Sequence, residues 1–110
     1  MKESLLQKSL TRHFSWAYLE LCEAGAPEKL LEAASELTTR SEVSGVWRDE
    51  ALLRTLQTDA EDLSLAVENY LKDHNVTEEQ NASYREVRIL LEGALRLIEA
   101  MQRKEATDGH

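Results

Sequence analysis

The chain predicts an all-α fold, an up-and-down four-helix bundle, and three observations carry that prediction. Apolar residues recur at steps of three and four along most of its length. Only four glycines and one proline interrupt its 110 residues. No β-branched run alternates with polar residues over enough positions to make a strand. A chain of this size forms one domain, residues 1–110, and can bury a core without disulfides or a metal.

The first helix is predicted from Lys2 to Glu23, with Leu6, Leu10, Phe14, Ala17, Tyr18 and Leu21 on its main face. Gly25 supplies a left-handed stop, and Pro27 suits the first turn of the next helix. That second helix is short, about Pro27 to Thr39, with Leu30, Leu31, Ala34 and Leu37 turned inward. Residues 38–45 read as a loop in which Ser44 is a candidate cap for the third helix.

The third helix is expected from Val46 to about Asp73 on a seam of Leu53, Leu56, Ala60, Leu63, Val67 and Tyr70. Thr58 to Glu61 has the form of a capping box, but the seam keeps its phase there, so one continuous helix is expected. His74-Asn75-Val76-Thr77 is a turn, and Thr77-Glu78-Glu79-Gln80 is the better capping box. It opens a fourth helix, Glu78 to about Lys104, built on Val87, Leu90, Leu91, Ala94, Leu97, Ile98 and Met101. Residues 105–110 are expected to fray. The last two helices therefore form a long antiparallel hairpin with arms of about 40 Å at 1.5 Å per residue. The second helix cannot cover such an arm, which leaves part of the hairpin exposed or paired with another molecule.

A core-facing helix needs one apolar stripe, yet three of these carry a second. Leu5, Trp16 and Leu19 project opposite to Phe14 and Leu21 on the first helix. Trp47 and Leu65 share an azimuth on the third, where Trp47 has the preceding loop to pack on. Ala82, Ile89, Gly93 and Ala100 line up beside the main face of the fourth. A mid-helix glycine costs about 1 kcal/mol relative to alanine, so Gly93 marks a close backbone approach. Either the chain's own first two helices fill that groove, or it is a surface for self-association or a partner.

The formal charge of −8 disfavours binding to phosphate backbones, which needs a basic face. Thr55 to Leu71 contains no Lys or Arg but holds Asp59, Glu61, Asp62 and Glu68, either a solvated face or an acidic docking patch. The single Cys22 cannot form an internal disulfide and is expected to be a small buried residue. No stretch approaches a membrane span, and the N-terminus does not read as a signal peptide, so a cytoplasmic location is expected.

Catalytic and metal constellations are missing. His13, His74 and His110 lack carboxylates at helical ligand spacing. The Asp59, Glu61 and Asp62 carboxylates lack an apolar pocket to tune one of them. Phosphate loops, nucleophile elbows and Arg–aromatic clusters do not occur, and no cofactor is implied. Asn81-Ala82-Ser83 matches a glycosylation sequon only formally, in the first turns of a helix.

The favoured expectation is a small acidic, non-catalytic protein of adaptor, regulator or chaperone-like type. It would act through helix–helix contacts with a protein partner, as a homodimer in which the hairpins join, binding neither nucleic acid directly nor membranes. Trp16, Leu19, Ala82, Ile89, Gly93 and Ala100 are its candidate partner-binding residues. The runner-up is an inhibitor or immunity-type protein whose Asp59, Glu61, Asp62 and Glu68 block a basic or nucleic-acid-binding site of a target.

Overall fold

Local bonds at the chain corners decide where each helix ends. Gly25 adopts φ 66°, and the Ala26 amide donates to the Leu21 carbonyl while the Gly25 amide donates to Cys22, both at 3.0 Å. This left-handed closure ends the first helix as the sequence predicts. At the hairpin turn the Thr77–Gln80 box is reciprocal. The Thr77 amide donates to Gln80 Oε1 at 2.9 Å, and the Gln80 amide donates to Thr77 Oγ1 at 3.1 Å.

The computed structural model describes residues 2–43 and 45–108, with the side chains of residues 2–4, Trp47 and 104–108 excepted. The elements are α1 (Lys2–Glu23), α2 (Glu28–Ser41), a 3-10 turn (Val46–Arg48), α3 (Glu50–Asp73) and α4 (Glu78–Asp108). Helix α1 packs on α2 and α4, and α3 packs on the same two, so the four close into an antiparallel ring. The result is a rod of 51 × 20 × 19 Å. The four-helix up-and-down bundle and its long terminal hairpin are as the sequence predicts.

Several boundaries differ, each for a local reason. Pro27 caps α2 from outside rather than opening it. The helix runs past Thr39 to Ser41, whose fully buried hydroxyl donates to the Thr38 carbonyl at 2.7 Å and bonds Thr11 Oγ1 at 2.8 Å. Gln7 Nε2 donates to the carbonyls of both Ser41 and Val43, tying this end of α2 to α1.

Helix α3 does not begin at Val46. Asp49 is extended, and its carboxylate caps α3 by accepting the Leu52 amide at 3.1 Å. That break separates the 3-10 turn from α3, so one helical phase does not run from Trp47 to Leu65. Ser44, the cap expected from the sequence, lies outside the described residues, as do the packing of the Trp47 side chain and His110. Beyond Asp49, α3 is continuous through Thr58. Helix α4 continues four residues past Lys104, where no glycine or proline intervenes before Gly109.

The hairpin is also better covered than its length implies. Beyond the end of α2, the 3-10 turn contacts α1, α3 and α4. Val46 is fully buried there, and supplies the core residue that a longer α2 would have supplied.

The core is a single cluster that includes Leu10, Phe14, Leu37, Leu53, Leu91 and Ile98. The predicted α3 seam is buried from Leu53 to Val67, with Tyr70 half-buried. On α4, Leu90 and Leu97 are only half-buried, whereas Tyr84, not anticipated as core, is the largest fully buried side chain. Its ring packs at 5.5 Å from Tyr70, which in turn stacks on His74 at 4.1 Å.

Gln80 joins three elements, because its side-chain amide also donates to the Ala24 carbonyl at 3.0 Å. Gln80→Ala should therefore cost about 1–2 kcal/mol in denaturant unfolding, the loss of a cap plus a cross-chain bond. Gln80→Glu keeps the acceptor for Thr77 but not the donor to Ala24, and should fall between the two.

Candidate interaction surface

With Leu10, Phe14, Ala17 and Leu21 buried in the core, the opposite face of α1 is presented to solvent. Leu5, Arg12, Trp16, Leu19 and Glu23 all lie on that face and are all exposed. Trp16 retains 53% of its surface and Leu19 50%, high values for large apolar side chains in a bundle with a complete core. These two occupy the positions that the sequence assigns to them.

Trp16 also enters a groove between α1 and α4. Glu20, Ala82, Ser83, Glu86 and Leu90 line the rest of it. The structure thus brings together Trp16 and Ala82, two of the residues singled out in the sequence. Its lining is apolar at Trp16, Ala82 and Leu90 and acidic at Glu20 and Glu86.

The other members of the α4 stripe separate from this groove. Gly93 is approached by His13 of the same chain: a Cβ at residue 93 would lie 2.8 Å from both His13 Cδ2 and Nε2. The imidazole is held by its Nδ1, 2.7 Å from the Ser9 carbonyl, and since a carbonyl only accepts, Nδ1 carries the proton. The close approach that Gly93 announces is therefore between α1 and α4. Ile89 is 52% exposed, but lines a depression with Ser64, Arg85, Arg88 and Glu92 on the α3 side. Ala100 is half-buried. Helical phase alone places these residues in one line, and the neighbouring helices divide them.

The acidic window divides in the same way. Asp59 pairs with Arg40, and with Asp62 it lines a groove against α2 that also holds Lys29 and Glu36. Glu68 lies on the α4 side, within 3.6 Å of Lys72 and 3.8 Å of Arg88. Glu61 is exposed. Two of the four carboxylates are thus engaged within the chain, and the four do not form one continuous face.

Cys22 is exposed, contrary to the expectation of a buried thiol. It is displaced from Leu21 by 100° of helical rotation, which carries it off the buried face. Instead it lies one turn from Tyr18, whose phenol it pushes up through a hydrogen bond and charge. Among the described residues, no three His, Cys, Asp or Glu side chains gather to hold a metal. No helix among them is long and apolar enough to cross a membrane. Comparison with protein-family models, with curated proteins and with solved structures finds no match to this chain.

Proposed function

We propose that this protein is a non-catalytic helical interaction scaffold of adaptor, regulator or chaperone-like type, working in the cytoplasm as a homodimer. Its working surface is the outer face of α1 with the adjoining α1–α4 groove. One observation carries this reading. Trp16 and Leu19 remain half exposed although the core is already filled without them. Burying such side chains against another helix releases about 1.5–3 kcal/mol each, so their exposure favours a binding role.

A photo-crosslinking amino acid at Leu19 tests this reading in the native host, with the same group at Thr58, exposed on α3, as control. A discrete protein adduct should form from position 19 and none from position 58. No adduct at 19, or the same pattern from both positions, would overturn it.

A further inference from the structure

We propose that α1 packs antiparallel on α1 of a second copy, about a two-fold axis between Trp16 and Leu19, with Arg12 of each copy against Glu23 of the other. The inference rests on the reading of the α1 face as an interaction surface and names its occupant.

The spacing of the exposed residues supports it. Leu5, Arg12, Trp16, Leu19 and Glu23 succeed one another at steps of seven, four, three and four, a heptad seam pointing away from the chain's own core. At 100° per residue, Arg12 and Glu23 lie within about 20° of each other on this face, on either side of the Trp16–Leu19 pair. An antiparallel two-fold centred on that pair sets Trp16 beside Leu19 of the second copy, and Leu19 beside its Trp16. The same operation brings Arg12 opposite Glu23 of the second copy at both ends of the apolar centre. A parallel arrangement would instead oppose arginine to arginine and glutamate to glutamate. The charge pattern therefore selects both the occupant and its direction.

A second observation comes from the end of the helix. The last turn of α1 contains Glu20 and Glu23 and no basic residue, although cations are favoured at a helix C-terminus. An arginine from a second copy would neutralise that end. The overall charge strengthens the choice of face. Two copies each carrying −8 repel, and on this face Arg12 meets Glu23 at both ends of the pairing, which offsets that repulsion locally. The exposed Leu65 on α3 is flanked instead by Glu61, Asp62 and Glu68, which would oppose self-pairing.

Sedimentation equilibrium of the full chain tests the proposal. The wild type should show a monomer–dimer equilibrium in the micromolar range. Arg12→Glu or Glu23→Arg alone should weaken it about tenfold, because two opposed pairs become repulsive. Arg12→Glu combined with Glu23→Arg should restore it to within about threefold of wild type. Both substituted positions are exposed, so helical content by circular dichroism should not change. A wild type that stays monomeric, or a double variant no better than the single ones, overturns the dimer. A monomeric chain that still yields a foreign protein adduct from position 19 defeats the dimer, and with it the homodimeric part of the proposed function, and leaves the interaction scaffold standing. Loss of both adduct and dimer defeats both.

Discussion

Tyr84→Ala is expected to destabilise the protein by about 3–5 kcal/mol, the cost of deleting a large aromatic side chain from a packed core. Tyr84 is fully buried on α4, in line with Val87, Leu91, Ala94 and Ile98. Tyr84→Phe should have the opposite sign. The Tyr84 hydroxyl is buried without a hydrogen-bond partner, so its removal relieves a desolvation penalty and should raise stability by about 1 kcal/mol. Tyr70 acts on the phenol through charge and a side-chain hydrogen-bond contribution, but the Tyr84 hydroxyl meets no partner at ordinary hydrogen-bond geometry.

The same environment gives a pH signature. Burial, and then Tyr70, push the Tyr84 phenol up to about 12 from the ordinary 10.0. In the unfolded chain it ionises near 10.0, while in the fold it stays protonated. Its contribution to stability is therefore complete below pH 10.0 and is lost as pH rises through about 12. Unfolding titrations between those limits should show this loss in the wild type and a smaller one in Tyr84→Phe.

Gly93→Ala is the second large effect, and its sign depends on one neighbour. In an open helix interior the substitution gains about 1 kcal/mol. Here the new Cβ would sit 2.8 Å from the His13 ring, which the Ser9 carbonyl holds in place. Overpacking of about 1–3 kcal/mol, less the helical gain, leaves Gly93→Ala costing about 0–2 kcal/mol net. In a His13→Ala background the ring is gone, and Gly93→Ala should become stabilising. A double-mutant cycle by denaturant unfolding measures the coupling. Coupling near zero would mean that His13 does not fill the space over Gly93.

Much of the fold is legible in the sequence because helical folds write their cores as period and their corners as caps. The seam Leu53, Leu56, Ala60, Leu63 and Val67, the Gly25 stop and the Thr77–Gln80 box each stand in a short window of sequence. What escapes depends on distant residues. Ser41 extends α2 because Gln7 and Thr11, which lie 34 and 30 positions away, meet it. Tyr84 is buried although a tyrosine near a helix start reads as surface, because α3 presents Tyr70 against its ring. A tighter count finds it, since Tyr84 precedes Val87 by three in the same line.

The candidate surface is half legible for the same reason. Trp16 and Leu19 stand out by phase alone, because α1 borders only two other long helices and its outer face stays open. Gly93 announces a close approach, but phase cannot say whose side chain makes it. The acids from Asp59 to Glu68 look contiguous in sequence. Their partners Arg40 and Arg88 come from helices on opposite sides of α3.

Hydroxyl-radical footprinting tests most directly the claim that the outer face of α1 is where this protein meets other molecules. It compares the dilute, isolated chain with the assembled form in native extract. Trp16 and Leu19 should lose reactivity on assembly while Leu65, equally exposed on α3, keeps it. Continued reactivity of Trp16 and Leu19 in the assembly, or protection of Leu65 in their place, would contradict the account.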